Sequence, residues 1–158
     1  MGDRYLINVA KTEFREGYNT GDPNRVLSVF ADDYFDMSQE GTTKAGAHAK
    51  NRLRKNLIEL FSEYQVKMVP IIIDIIFAGE IAYDYGWHEV ILTAKDSGAQ
   101  KRLRQRYFEL WKKDTAAAWK ISFFIDNVDV PDQFAGLSSH WFFVEDNGRR
   151  PDLRIIEP

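Results

Sequence analysis

Apolar residues recur at three- and four-residue steps through residues 3–19, where Ile7, Ala10, Phe14 and Tyr18 share one stripe, and this spacing predicts an amphipathic helix. Asn19-Thr20-Gly21 ends it. Asp22 followed by Pro23 has the form of a helix cap with proline at the first helical position, predicting a second, short helix that turns Val26, Leu27 and Phe30 inward. Asp32-Asp33 stops that helix, and Tyr34 to Ser38 reads as a short strand. A turn at Gln39-Glu40-Gly41, with Thr42 and Thr43 as caps, leads into a third helix over residues 44–62. Its apolar stripe is Ala45, Ala49, Leu53, Leu57, Leu60 and Phe61, while Lys50, Arg52, Arg54 and Lys55 populate a solvated outer face.

From Tyr64 the period changes to two, and four long strands are predicted at 64–77, 80–94, 101–113 and 118–129. Ala78-Gly79, Asp96-Ser97-Gly98 and Asp114-Thr115-Ala116-Ala117 separate them, and connections this short make an antiparallel meander. The plan is α+β, with three N-terminal helices packed on one face of a curved antiparallel sheet. Residues 131–158 hold three of the five prolines, yet Phe134, Leu137, Trp141, Phe142, Phe143 and Val144 are too apolar for a solvated linker. The segment is expected to dock on residues 1–130 or on a neighbouring subunit.

Composition narrows the chemistry. The 158 residues suit one domain with its own core, and zero Cys excludes disulfides, thiol nucleophiles and cysteine metal sites. Net charge is −3, which gives no reason to expect nucleic acid or an anionic membrane as partner. The longest apolar run, Met68 to Ile73, is followed by Asp74 and falls far short of a membrane span. With no signal pattern at the N-terminus, a soluble, cytoplasmic protein is expected. His48, His88 and His140 have no metal-ligand spacing, and no glycine-rich phosphate loop or nucleophilic serine motif occurs, so neither metal nor cofactor is expected.

The stretch EGYNTGDPNRVLSVFADDYFDMS, the helix after Gly46, the Tyr64-Gln65-Val66 strand start and the stretch RYFELWKKDTAAAWKI from Arg106 to Ile121 resemble the SnoaL-like branch of the nuclear transport factor 2 superfamily. The similarity covers roughly residues 4–128. It implies a cone in which three helices close over the concave face of the sheet around a cavity, and dimers formed through the convex face. The superfamily includes isomerases, cyclases and dehydratases as well as non-catalytic transport and assembly domains, so the lining residues must decide function.

With strands anchored on that resemblance, alternation assigns inner faces: Tyr34, Asp36 and Ser38; Tyr83, Tyr85, Trp87 and Glu89; Tyr107, Glu109 and Trp111; Lys120, Ser122, Phe124 and Asp126. His88 and Asp84 fall outside, as an expected pair at the dimer interface. Phe108, Leu110, Trp119, Ile121, Phe123 and Ile125 then form an outer apolar patch, which predicts a homodimer. The inner set suits a small organic ligand with a planar or apolar body and one or two polar handles. Ketosteroid isomerases of the superfamily use a helix tyrosine, a strand aspartate and a second acid, and those positions fall at Phe14, Ser38 and Tyr107. A steroid-isomerase mechanism is therefore not expected. Cyclase, isomerase or dehydratase chemistry of another kind needs only one acid/base group, for which Asp36 and Asp126 are candidates, with Tyr34 or Tyr107 polarising a carbonyl. The contrasting reading is a non-catalytic oligomerisation or accessory domain whose aromatic interior is only core.

Overall fold

The computed structural model describes residues 2–39 and 41–129. The fold is that of the compact unit Met1–Asn127. The expectation that residues 131–158 dock on a surface, like His140, lies outside the described residues.

The elements are α1 (Asp3–Thr20), α2 (Pro23–Leu27), β1 (Phe30–Asp36), β2 (Lys44–Ala45), α3 (Gly46–Glu63), β3 (Tyr64–Ala78), β4 (Ile81–Ala94), β5 (Gln100–Lys113) and β6 (Trp119–Val128). Gly21 ends α1 in the left-handed conformation, φ 68°, and its N–H meets the Tyr18 carbonyl at 3.2 Å. The next residue, Asp22, caps α2 by accepting from the Asn24 and Arg25 amides at 2.9 and 3.2 Å. α2 stops at Leu27, so Phe30 opens a strand rather than ending a helix, and Asp32 and Asp33 lie inside β1 instead of before it.

All six strands form one curved sheet in the order β2-β1-β6-β5-β4-β3. β3, β4 and β5 pair antiparallel as expected, whereas β1 runs parallel to β6. The sheet is therefore mixed. Parallel pairing needs a long crossover, and everything from β2 to β5 supplies it. α1 packs against α2 and β3, and α3 packs against β1. The core holds Ile7, Val26, Leu57, Val66, Ile75, Ala82 and Ile121, each less than 5% exposed.

Two irregularities decide which side chains face that core. Between Ile72 and Asp74 the register of β3 on β4 shifts, and a side chain at Gly86 would place its Cβ 1.9 Å from the Ile71 carbonyl oxygen. Only glycine fits where the two backbones approach so closely. In β6 both Ile121 and Phe124 are buried although three residues apart, and the β1 pairing shifts over the same stretch. Alternation breaks there. Trp119 and Ile121 consequently belong to the buried core rather than to an outer apolar patch, and Ser122 leaves the inner face that simple alternation assigned to it.

Candidate functional site

α1 buries Ile7, Lys11, Phe14 and Gly17, a stripe at four- and three-residue steps that includes one cation. β4 buries Ala82, Asp84, Gly86, His88 and Val90, and β5 buries Tyr107, Glu109 and Trp111. Against these faces lies a cavity of about 290 Å³. Its wall is mainly apolar, from Phe14, Tyr18, Phe30, Leu57, Met68, Val90, Leu103 and Phe124, with Tyr34, Asp36, Ser38, Gln39, Asn56, His88, Gln105 and Asp126 as polar members.

The two carboxylates sit at one end. Asp36, 5% exposed, accepts from the Ser38 amide at 2.8 Å and from Arg52 Nη2 at 2.7 Å. Asp126 accepts from the next amide, that of Gln39, at 3.1 Å. Arg52 is thus drawn from the expected solvated face of α3 to a carboxylate, and only 16% of its side chain is exposed. An aromatic floor leads away from this end: Phe30 lies 5.9 Å from Phe124, 4.7 Å from Tyr34 and 6.1 Å from Phe14, and Phe14 lies 5.5 Å from His88.

His88 closes the floor. It is 2% exposed, stacks on Tyr107 with centroids 4.4 Å apart, and its Nε2 has no hydrogen-bond partner among the described residues. Burial, helped by the Lys11 charge, lowers its pKa to about 3. The imidazole is therefore neutral at physiological pH, with one nitrogen donating and the other accepting.

Behind Tyr107 lies a buried ionic cluster. Lys11 Nζ is 2.6 Å from Asp84 Oδ2 and 2.6 Å from Glu109 Oε2, and all three side chains are 6% exposed or less. Trp111 Nε1 donates to Asp84 Oδ1 at 3.1 Å, and the Tyr107 hydroxyl donates to its Oδ2 at 3.4 Å. The ammonium also lies 4.6 Å from the Tyr107 ring centroid. Burial pushes Glu109 well above the ordinary carboxylate range despite the opposing pull of Lys11. Lys11 is held protonated, because its two carboxylate partners outweigh desolvation. Burial, then the Glu109 and Asp84 charges, raise Tyr107 far above its ordinary value and keep the phenol neutral.

Of the residues singled out from the sequence, Phe14, Tyr34, Asp36, Ser38, Phe124 and Asp126 line the cavity. Tyr107, Glu109 and Trp111 are buried on the same side of the sheet but stand behind the cavity wall, in or beside the ionic cluster. The face assigned to β4 is reversed. Tyr83, Tyr85, Trp87 and Glu89 lie on the outer side, where Trp87 donates to Glu89 and Arg104 Nε pairs with Glu89 at 2.7 Å. His88 and Asp84 are interior residues, not an outer pair. The reason is packing: β4 turns its small and polar residues inward because Gly86 must admit the Ile71 backbone and Asp84 must meet Lys11. Ser122 donates to the Leu110 carbonyl at 3.3 Å, and Lys120 Nζ donates to the Ser28 carbonyl at 2.6 Å; neither lines the cavity. The inner-face reading also missed Lys11, although it stands four residues after Ile7 and three before Phe14 in the apolar stripe.

Among the described residues no helix is long and apolar enough to cross a membrane, and no three His, Cys, Asp or Glu side chains are grouped to hold a metal ion. No family model and no curated protein matches the chain. Solved structures do. A ketosteroid isomerase-like protein from Erwinia carotovora atroseptica superposes with TM-score 0.68 at 18% identity, covering 80% of this chain and 96% of that one. A putative scytalone dehydratase from Novosphingobium aromaticivorans gives 0.69 at 14%, covering 80% and 83%. Hexachlorocyclohexane dehydrochlorinase from Novosphingobium barchaimii gives 0.65 at 13%, covering 80% and 86%. The resemblance read from the sequence is thus shown at the level of architecture: this chain has the nuclear transport factor 2-like, SnoaL-like fold.

Proposed function

We propose that the cavity binds a small, largely apolar organic molecule, anchored by His88, and that the site performs acid/base chemistry through its carboxylates. In this reading α1, α2 and α3 close the concave side of the sheet, as the resemblance implies. The observation that carries it is the His88 imidazole, buried in an apolar wall with Nε2 unsatisfied. Leaving a buried polar atom without a partner costs about 1–3 kcal/mol, and a ligand hydroxyl or carbonyl offsets that cost. With its proton affinity suppressed, His88 polarises a ligand group rather than removing a proton. Proton transfer then falls to a carboxylate. Asp36 and Asp126, the carboxylates that line the cavity, are the candidates for it. Tyr107 supports His88 by stacking and does not touch the ligand.

Thermal-shift screening with aromatic, polyketide-like and terpenoid compounds is expected to yield ligands that raise the unfolding midpoint. His88→Phe, which keeps a flat ring in place, is expected to weaken the best of them about tenfold or more, in line with the loss of one buried hydrogen bond, while native near-ultraviolet circular dichroism persists. Equal affinity in the variant removes His88 as anchor.

The outer face supports the homodimer expected from sequence, through a revised set of residues. Tyr83 stacks on Phe108 at 5.7 Å and Phe35 on Phe123 at 6.0 Å, with Tyr85, Leu110 and Ile125 half-buried. Light scattering at micromolar concentration is expected to give twice the mass of the chain; the mass of one chain would count against this interface.

A further inference from the structure

We infer that Gln105 is a second recognition residue of this cavity, and that with His88 it selects ligands whose polar handle is a carboxamide or lactam, an N–H beside a C=O on a planar group. The inference rests on the reading of the cavity as a ligand site and adds the class of molecule it takes. In the pairing of β4 with β5, His88 and Gln105 stand directly opposite each other, and both line the cavity. Side chains opposed in this way on one face have Cβ atoms about 4.5–5.5 Å apart, so the imidazole and the amide present one polar edge to a bound molecule. The next opposed pair on that face is Val90 and Leu103, which continues the wall as apolar surface.

Gln105 is half-buried, and among the described residues its amide has no hydrogen-bond partner, whereas Gln39 and Asn56, the other amide residues of the wall, have partners within the chain. A ligand that fills the space removes water from the Gln105 amide and must replace both a bond it gives and a bond it receives. A carboxamide or lactam does so with two parallel bonds, N–H to carbonyl and carbonyl to N–H, as a glutamine amide does on the N6–N7 edge of adenine. A ketone or an N-alkylated lactam answers only the donor and leaves the Gln105 carbonyl buried and unpaired. A site built to bond both halves rejects analogues that lack one. His88, with one ring nitrogen of each kind, meets what remains on the handle, a second carbonyl lone pair or a second N–H, and so requires no fixed tautomer. Phe14, 5.5 Å from His88, and Phe30 beyond it suit a flat ring body. At about 290 Å³ the space lies at the lower edge of small-molecule pockets, about 300–1,000 Å³, which fits one or two rings.

Paired compounds that differ at the N–H test this on the full chain: 2-naphthamide against 2-acetonaphthone, and 2-quinolone against its N-methyl derivative, titrated calorimetrically at pH 7. In at least one pair the N–H compound is expected to bind about tenfold or more tightly than its partner. Gln105→Leu is expected to bring the two within about threefold of each other while native near-ultraviolet circular dichroism persists, and Gln105→Met replaces it if leucine disturbs the fold. N–H compounds that bind no more tightly than their partners, or a preference that survives the loss of the amide, overturn the inference and leave the ligand site standing. Silence in both pairs from a protein whose unfolding midpoint other compounds raise does the same. Silence in the titrations and in the thermal-shift screen together overturns the ligand-site reading itself, and the handle preference with it.

Discussion

Lys11→Met is expected to destabilise the protein by about 3–5 kcal/mol, a drop of roughly 10 °C in Tm for a chain of this size. The methionine fills similar space, so the loss is electrostatic. Lys11 is the cation within reach of Asp84 and Glu109, at 2.6 Å from each, and both acids are essentially inaccessible. Burial raises the Glu109 pKa well above the ordinary carboxylate range, and the ammonium opposes that rise. Removing the ammonium strands the remaining negative charge in an apolar wall. Urea denaturation checks the size of the effect, and the triple replacement Lys11→Met, Asp84→Asn and Glu109→Gln separates charge from packing. It is expected to recover most of the loss, because a buried ionic group replaced as a whole often costs little. A single variant as stable as the parent would mean that the cluster does not depend on its cation.

Acid is expected to destabilise the fold through His88, by roughly 4–5 kcal/mol over the full titration. The unfolded imidazole takes up a proton near its ordinary pKa of 6.5, while the folded one resists until about pH 3. Between those values the unfolded state binds more protons, so stability falls as pH falls, by about 1.4 kcal/mol per pH unit. Glu109 acts in the opposite sense. Its folded pKa is raised, so its contribution is complete below the ordinary carboxylate value of 4.5 and is lost as pH rises toward the folded one. The two effects oppose each other above pH 4.5, and below it Asp3, Glu13 and Asp32, whose pKa values are lowered by hydrogen bonds to their partners, add acid destabilisation of their own to the His88 slope. Subtracting the denaturation profile of His88→Phe from that of the parent isolates it. A flat difference between pH 6.5 and 3 would show that His88 titrates normally and is not shielded in the folded state.

Much of the architecture was legible because its signals are local. Gly21, Asp22 and Pro23 mark one helix end and the next start, and the long strands fall within two residues of their expected bounds because short turns punctuate them. What alternation cannot supply is the sign of a face. β4 alternates Tyr83, Tyr85 and Trp87 with Asp84, Gly86 and His88, and hydrophobicity alone sends the aromatics inward. Tertiary demands decide otherwise: the close backbone approach at Gly86, and the need of Lys11 for Asp84. A lysine midway between Ile7 and Phe14 was the available warning that the interior holds a polar cluster. In β5 and β1 the same reasoning gave the observed faces because Tyr107 and Glu109, like Tyr34 and Asp36, stand two residues apart and are buried together. In β6 the break between Ile121 and Phe124 left Phe124 and Asp126 inside while excluding Ser122, and nothing in the local residue pattern announces it.

The parallel pairing of β1 with β6 has a consequence in time. Asp36 lies opposite Phe124, a partner 88 residues later in the chain, and Asp126 follows two residues after that. During synthesis β1 emerges early and waits, with one edge unsatisfied, until the last strand has been made. Any stop before β6 leaves the two carboxylates unassembled, whatever the helices have done. The cavity is therefore the last part of this domain to exist, and the nascent β1 edge is the stretch whose shielding matters most before release.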